Sequence, residues 1–465
     1  MQNECIILSD EVKAHFSSRA SLAAIGMAFQ RRGIFAPISK HVHIAQKTIK
    51  YSPFEKLQDA LINMLCGAQG MVEINKRVKP DAALQRAFGR DGCAEQSVIQ
   101  DTLDACTEKN VEQMYTAQAE IFRRHSQAYR HDYSREWQIL DADLTGRPCG
   151  KKAAFASKGY FSQGRNRRGR QLGYVVATWY KEIVVERVWA GKQQLSLALC
   201  PLMEAAEKTL GLDRQLWRRQ RTLVRIDAGG GSVADINWLL QRGYQVHGKD
   251  YASERVKVLV KSVETWITDP KDRQRQVGWV TAPDDLYARP VRRIAVRCRK
   301  KNGQWGMGVI VSSLAPREVL WLTGQSLADA TDPQAVLLGY VYFYDQRGGG
   351  VEIEIKEDKQ GLGTSKRNKK RFEAQQMLAQ LEALAHNVLV WARGWLAARC
   401  PQVAQWGIKR LVRDVFHING KIVLDHTTQP LLIVLNQADP VARKLYKGLA
   451  ALLAQQHVVV TLGEI

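Results

Sequence analysis

The sequence predicts an α/β fold in which helices flank a mixed sheet. Between residues 137 and 248, the spacing of apolar residues predicts three strands, a helix, a strand, a helix and a last strand. Acidic residues, Asp143 and Asp227, stand at the ends of the first and fourth strands. This order of elements, with acids at strand ends, is that of a ribonuclease-H-like sheet.

Runs of β-branched and aromatic residues place the strands of this sheet, and helical spacing places the segments between them. Three glycines, Gly229–231, stop the fourth strand, and Ser232 can cap the helix that follows. The predicted strands are residues 137–143, 171–178, 182–189, 222–227 and 244–248, and the predicted helices are 195–210 and 232–242.

Composition limits the class of protein. The 465 residues suggest two to four domains at ~100–200 residues each. The formal net charge is +22 and is spread along the chain, so it attracts polyanions such as nucleic acid or an anionic membrane surface. We expect neither a membrane span nor export, because there is no apolar run of ~18 residues and no leader-like start. The eight cysteines include no Cys-x-x-Cys pair, which favours free thiols in a reducing compartment over a zinc site. A cytoplasmic nucleic-acid-binding protein is therefore expected.

Residues 1–133 are predicted to form a helical, DNA-contacting domain. Apolar residues recur at helical spacing in four segments. The outer face of residues 96–103 carries the hydrogen-bonding side chains that a groove-reading helix needs. An ordinary amphipathic helix would show the same pattern, so both interpretations stay open. The four predicted helices are residues 54–64, 82–88, 95–105 and 112–129.

Residues 250–328 do not continue the alternation of strands and helices, and they predict a β-rich insertion. Short strands are expected at 277–280, 292–299, 306–312 and 318–323. The insertion is rich in arginine and carries four tryptophans. Aromatic rings among cations can stack on unpaired bases, although a strand tryptophan more often packs in a core. The tryptophans are Trp266, Trp279, Trp305 and Trp321.

The segment 344–359 combines a glycine turn with a charged helix. Gly348–Gly350 break the helix predicted over 335–343, and a new helix can begin near Val351. Glu352, Lys356 and Lys359 then share one face at i, i+4 and i+7. A carboxylate and two ammonium groups on one face, just after Tyr344 and Arg347, suit a metal ion and a phosphate. Taken alone, such a pattern is more often a solvated, salt-bridged helix, so the other motifs have to decide.

Three short motifs carry a resemblance to a known family. Asp143-Leu144-Thr145 matches an Asp-x-Thr pattern, and Arg225-Ile226-Asp227 matches an Arg-x-Asp pattern. The chain resembles the DDE transposases of bacterial insertion sequences, in the group whose β-rich insertion separates the second aspartate from the glutamate. The signature of that group, Tyr-Arg-Glu-Lys, maps to Tyr344, Arg347, Glu352 and Lys359.

One spacing departs from the family pattern. Four residues separate Arg347 from Glu352, where the family usually has three. Glu352 is preferred to Glu354, because it keeps the six-residue gap to Lys359. Asp141 is the alternative to Asp143, and it lacks the Asp-x-Thr context.

The resemblance implies a division of roles among these residues. Asp143, Asp227 and Glu352 would hold Mg²⁺, for which Mn²⁺ can substitute, in a two-metal site. The groups expected to contact DNA phosphates are Tyr344, Arg347, Lys356 and Lys359, and Trp279 is the first candidate to stack on a flipped base.

The resemblance also implies a reaction, its partners and a place in the cell. Hydrolysis at the ends of the element would free a 3′-OH, which then attacks target DNA. The partners would be the terminal inverted repeats and target DNA, bound by a homodimer with no role for a membrane. The expected setting is the bacterial cytoplasm, at the nucleoid.

Five regions follow from these assignments, and two other functions stay open. One is a catalytically idle, transposase-derived DNA-binding protein, which the three intact carboxylates disfavour. The other is a ribonuclease-H-like structure-specific nuclease, which the signature and the insertion disfavour. The regions are the helical domain (1–133), the first part of the catalytic core (134–249), the insertion (250–328), the second part of the core with the glutamate helix (329–400) and a C-terminal α/β region (401–465).

Overall fold

The computed structural model describes residues 13–47, 50–159, 161, 167–251, 254–283, 286–425 and 427–465. Its contacts divide the chain into two compact units. The terminal unit contains Met1–Ser126, Lys152–Ala154 and Lys356–Ile465, and the central unit contains Gln127–Lys151 and Phe155–Ile355. The division into five regions stays a prediction.

The strands are numbered in chain order. They are β1 Lys13–Ser17, β2 Gln138–Pro148, β3 Ser157–Lys158, β4 Arg168–Ala177, β5 Glu182–Ala190, β6 Thr222–Ile226, β7 Gln245–Lys249, β8 Ile267–Asp269, β9 Asp272–Trp279, β10 Arg292–Arg299, β11 Trp305–Ser312, β12 Gly420–Leu424, β13 Pro430–Asn436 and β14 Val459–Gly463.

The α-helices are numbered in the same way. They are α1 Ala20–Arg31, α2 Ala36–His41, α3 Pro53–Leu65, α4 Ile74–Arg77, α5 Ala82–Ala87, α6 Gln96–Asp104, α7 Glu108–His125, α8 Leu195–Leu210, α9 Leu216–Gln220, α10 Val233–Gln241, α11 Glu254–Lys261, α12 Pro316–Leu322, α13 Pro333–Asp345, α14 Val351–Gly361, α15 Phe372–Ala397, α16 Ile408–Arg410 and α17 Pro440–Leu453. Short 3₁₀ segments lie at Met71–Glu73, Ala228–Gly230, Leu327–Thr331, Thr364–Lys366, Pro401–Gln405 and Ala454–Gln456, and a π-helical turn lies at Leu411–Val415.

The central unit is built on one mixed sheet. Its described strands run in the order β3-β4-β2-β6-β7-β11-β10-β9-β8, and β5 pairs with the far side of β4. β5, β4 and β2 form an antiparallel meander, whereas β2, β6 and β7 are parallel. Parallel neighbours need crossover connections, and α8 to α10 supply them. The order β5-β4-β2-β6-β7 is the ribonuclease-H-like arrangement, so the predicted fold class is confirmed.

The insertion extends this sheet. β11 pairs antiparallel with β7, with Ile310 opposite Lys249, and β10, β9 and β8 follow. One apolar face of these strands packs on α12 and α13 in a buried cluster that includes Val277, Ile294 and Tyr340. The expected β-rich segment is therefore present, as a continuation of the core sheet.

One predicted strand of the insertion is wrong. Residues 318–323 lie mostly in helix α12, which begins at Pro316. Proline suits the first helical turn, and the Glu318 carboxylate accepts a hydrogen bond from the Ala315 N–H at 2.7 Å. Val319 and Leu320 are buried on the inner face. An apolar run this short fits a strand or a helix equally well, and the start signal at Pro316 decides for the helix.

The terminal unit joins the two ends of the chain. β1 pairs with β12, and the sheet continues in the order β1-β12-β13-β14. The long helix α15 is buried along most of its length and packs on α3, α6, α7 and α17. The pairing of β1 was not predicted, because residues 1–50 show little pattern. No helix within the described ranges is long and apolar enough to cross a lipid bilayer.

Candidate active site

Two aspartates lie at the same level on neighbouring strands of the central sheet. Asp143 lies within β2, and Asp227 directly follows the parallel strand β6. The ladder sets Asp141 opposite Arg225, and two residues further it brings Asp143 level with Asp227 on the same face. Parallel neighbours are about 4.8 Å apart, so the two carboxylates share one edge of the sheet.

Local hydrogen bonds fix the two carboxylates. The Asp143 Oδ1 atom accepts from the Leu144 N–H at 2.8 Å. The Asp227 Oδ1 atom accepts from the Gly229 N–H at 2.9 Å, so Asp227 caps the 3₁₀ turn that follows it. Each aspartate is thereby oriented by the backbone immediately after it.

The glycine turn before α14 allows a close backbone approach. A Cβ atom on Gly350 would lie 2.7 Å from Asp141 Oδ2 and 3.3 Å from Thr178 Cγ2. Only glycine avoids this clash, so the turn that leads into α14 can pack against β2. The first turn of α14 then carries Glu352, whose side chain is 60% exposed.

Arg347 links the acids of the site. Its guanidinium is nearly buried, with Nη2 at 3.3 Å from Asp143 Oδ2 and Nη1 at 3.5 Å from Glu352 Oε1. Nη2 also donates to the Ala142 carbonyl oxygen at 3.2 Å. One buried cation thus lies between the carboxylates of β2 and α14.

The electrostatics show that the predicted residues interact. The pKa of Asp143 is raised to about 6, chiefly by burial; Arg347 opposes the rise, and Asp227 and Glu352 contribute to it. Burial also raises the pKa of Tyr344 to about 12, again with help from the three acids. Burial disfavours the charge on Arg347, but the nearby aspartates raise its pKa overall. The structure therefore brings Asp143, Asp227, Glu352, Tyr344 and Arg347 into one electrostatic neighbourhood.

The donor set suits a hard divalent cation. Magnesium prefers carboxylate oxygens, and Asp143, Asp227 and Glu352 offer them at a position with excess negative charge. Across the described ranges, no three His, Cys, Asp or Glu side chains are placed closely enough to hold a metal ion directly. The carboxylates surround Arg347 without converging on one point. Asp143, Asp227 and Glu352 thus fit Mg²⁺ in the chemistry of their donors and in charge, but they do not form a closed set of ligands.

A family model covers nearly the whole chain. The model for transposase DDE domain group 1 matches residues 11–457. The chain belongs to this transposase family. No curated protein sequence matches it. Among solved structures, it is similar to the piggyBac transposase in a synaptic complex with hairpin DNA, seen by cryo-EM. That likeness has a TM-score of 0.45 and 14% sequence identity, over 85% of this chain and 79% of the other.

The alternative aspartate of the transposase has a structural partner. Asp141 is fully buried and accepts from Arg225 at 2.7 Å and 2.8 Å. It also accepts from the Thr178 hydroxyl at 2.8 Å. A carboxylate whose two oxygens are held by a buried arginine and a hydroxyl has little capacity left for a metal ion.

The alternative glutamate lies on another side of α14. Glu354 is 5% exposed, and its nearest cation is Lys181, at 3.5 Å. Glu352, by contrast, contacts Arg347 and raises the pKa of Asp143. These contacts favour Glu352 over Glu354.

The remaining predicted residues occupy three positions in the transposase. Tyr344 lies in the last turn of α13 in the central unit, beside Arg347. Lys356 and Lys359 follow Glu352 on one face of α14, and both belong to the terminal unit. Trp279 ends β9 and packs edge-to-face on Tyr340, with ring centroids 5.9 Å apart. Its role toward a flipped base stays a prediction.

Sequence reasoning missed Lys249 of the transposase. Its Nζ atom lies 4.7 Å from the centre of the Tyr344 ring. Lys249 ends β7, the parallel neighbour of β6, so it stands at the same edge of the sheet as Asp227. Lys249 could have been predicted from its position at the carboxyl end of a core strand. It was overlooked because many other basic residues follow it in the insertion.

Proposed function

We propose that this transposase cleaves the ends of a bacterial insertion sequence and joins the freed 3′-OH ends to target DNA. The observation that supports the proposal most is the grouping of Asp143, Asp227 and Glu352 around Arg347 on a ribonuclease-H-like sheet. The family match over residues 11–457 supports the same chemistry. The net charge of +22 supports DNA as the partner.

Asp143, Asp227 and Glu352 would hold the divalent ions, Mg²⁺ or Mn²⁺ in its place. When bound, such ions activate the attacking oxygen and stabilise the leaving oxygen of an in-line phosphoryl displacement. The protein contributes the placement of the carboxylates. Backbone N–H groups orient Asp143 and Asp227, and Gly350 lets the first turn of α14 come close to β2.

The basic and phenolic groups would hold the phosphate beside the scissile bond. Arg347 has five N–H donors, and its contacts with Ala142, Asp143 and Glu352 leave some of them for a phosphate oxygen. Tyr344, with a pKa of about 12, keeps its hydroxyl proton at neutral pH and can donate it in a hydrogen bond. Lys356 and Lys359 would add point charges along the DNA backbone.

The reaction requires two ends to be brought together. A homodimer on DNA is the simplest assembly that gives each end one active site. The proposed setting is the bacterial cytoplasm, at the nucleoid. The terminal repeats can be sought as imperfect inverted repeats in the DNA that flanks the reading frame.

The test is cleavage of DNA that carries those repeats, with Mg²⁺ or with EDTA. Asp227→Asn should reduce cleavage by at least about 100-fold while end binding is retained, because the ligand is lost and the fold is kept. Asp213→Asn is the matched control, since it removes the same charge from an exposed residue of the central unit.

Three results would contradict the proposal. Undiminished cleavage by Asp227→Asn would refute the site. Binding of the repeats by the wild type without cleavage would indicate an idle DNA-binding protein. Cutting of branched DNA regardless of the end sequence would indicate a structure-specific nuclease.

A further inference from the structure

The terminal unit contains a cavity that the proposed active site does not use. Its volume is about 610 Å³, and its walls come from the ends of α1, α15 and α17. Three arginines and a tryptophan line it. We call it the arginine pocket and define it by Arg31, Arg32, Trp395, Arg399 and Gln455.

The positive charge of the arginine pocket is not compensated. Within the described residues, no carboxylate forms an ion pair with Arg31, Arg32 or Arg399. Burial lowers the pKa of Arg32, and the neighbouring Arg31 lowers it further. Arg275, by contrast, is paired with Asp269. Like charges held together without a counter-ion reduce stability. Such a cluster is expected at a site where an anionic ligand neutralises the charge on binding.

The geometry of the arginine pocket is fixed before any ligand binds. The Arg32 guanidinium lies 4.2 Å from the centre of the Trp395 ring, and its Nη1 atom donates to the Ala28 carbonyl oxygen at 3.3 Å. Arg31 donates to the side-chain oxygen of Gln455. Phe29 packs edge-to-face on Trp395, with ring centroids 5.8 Å apart. Two of the three guanidinium groups are therefore held in place by aromatic and hydrogen-bonding partners.

Charge at the end of a helix explains only part of this arrangement. Basic residues in a last turn offset the helix dipole, and Arg31 and Arg32 do so for α1. That effect uses one N–H group of Arg32, whereas a guanidinium carries five donors. Arginine forks match phosphate oxygens in geometry and in charge.

We propose that the arginine pocket binds a backbone phosphate of DNA. The proposal rests on the proposed function, and it adds a contact made by the terminal unit, whereas Asp143, Asp227 and Glu352 belong to the central unit. Free polyphosphate offers the same chemistry, so the experiment separates the two sources.

The test measures how the affinity for a fluorescent duplex carrying the terminal repeats depends on KCl concentration. Each lost phosphate contact should reduce the slope of log K against log[KCl] by about 0.9, and should weaken binding about 5-fold near 0.15 M. We expect that effect for Arg31→Gln and for Arg399→Gln, and about twice the change in slope for the double variant. Both residues are exposed, so the variants should fold.

Arg443→Gln is the matched control. Arg443 is an exposed residue of α17, the helix that forms one wall, but it does not line the pocket. It should leave the slope close to that of the wild type. Inorganic pyrophosphate, tested by thermal shift at constant ionic strength, is the second arm.

The outcomes separate this inference from the proposed function. The wild type could bind and cleave DNA while the slopes stay unchanged in Arg31→Gln and Arg399→Gln. That result would overturn the proposed phosphate contact of the arginine pocket and leave the proposed function intact. Pyrophosphate could instead raise the Tm of the wild type but not of the two variants, while the slopes for DNA stay unchanged. That result would assign the pocket to free polyphosphate and would also overturn the proposed DNA contact. Failure of the wild type to bind DNA would overturn both proposals.

Discussion

Asp141 and Asp143 stand two residues apart on one face of β2, and their substitution by asparagine should have opposite consequences. Asp141 faces Arg225 with both side chains almost fully buried, at 2.7 Å and 2.8 Å. Asp141→Asn would leave the Arg225 guanidinium as an uncompensated buried charge. Removing one partner of a buried pair costs about 3–5 kcal/mol. For a domain of 150–250 residues, that is a fall in Tm of about 6–20 °C.

Asp143→Asn should act on cleavage and not on stability. The pKa of Asp143 is raised from 3.8 to about 6, chiefly by burial, so above pH 6 its charge is held at a net cost of about 3 kcal/mol. That net cost already includes the favourable pairing with Arg347 at 3.3 Å. Asparagine carries no charge and removes the cost, so we expect Tm at pH 7.5 to stay within a few degrees of the wild type or to rise. Cleavage should fall by at least about 100-fold.

Thermal unfolding and Mg²⁺-dependent cleavage, measured on the same preparations of both variants, distinguish a structural role from a catalytic one. Cleavage by Asp141→Asn should be recoverable at a temperature below its lowered Tm, because the carboxylate proposed as a ligand is still present. An unchanged Tm for Asp141→Asn would refute the structural role of the buried pair. Retention of cleavage by Asp143→Asn would refute the assignment of Asp143 as a metal ligand.

Three further predictions concern the same site. Glu352→Gln should abolish cleavage, whereas Glu354→Gln should keep most of it and lower Tm, because the buried Glu354 carboxylate faces Lys181. Lys249→Met should reduce cleavage about 2–30-fold through loss of a cation–π contact worth about 0.5–2 kcal/mol, and Lys249→Arg should restore most of it. Protons compete with metal ions for Asp143, so the Mg²⁺ concentration for half-maximal cleavage should rise about tenfold per unit below pH 6 and level off above pH 7. A pH-independent Mg²⁺ requirement would show that the pKa of Asp143 is not raised.

The sequence predicts the core sheet well, because its strands carry strong local signals. Each predicted strand between residues 137 and 248 overlaps an observed strand, and the Ser232 side chain caps α10 as expected. The pairing of β1 with β12, by contrast, could not be predicted from local sequence. It joins residues about 400 positions apart, and a short strand with little alternation carries no information about its partner.

The glycine turn shows what sequence spacing can and cannot establish. The fourth residue between Arg347 and Glu352 is visible in the sequence as a departure from the family pattern. The requirement for glycine at position 350 is visible only in three dimensions, where Gly350 packs against Asp141 and leaves no room for a Cβ atom. The turn therefore packs closely on β2, and Glu352 reaches the side chain of Arg347.

The choice between the two aspartates of β2 depends on partners that lie far away in the sequence. By pattern alone, Asp141 and Asp143 differ only in the Asp-x-Thr context, and both face the same side of the sheet. The parallel register with β6 places Arg225 opposite Asp141, where its charge is fully matched. Asp143 instead shares Arg347 with Glu352 and lies beside Asp227, so negative charge remains in excess there. Asp141 is neutralised by Arg225, so its role is to stabilise the strand. Asp143 lies beside two further carboxylates, and a divalent cation can neutralise the negative charge that remains there.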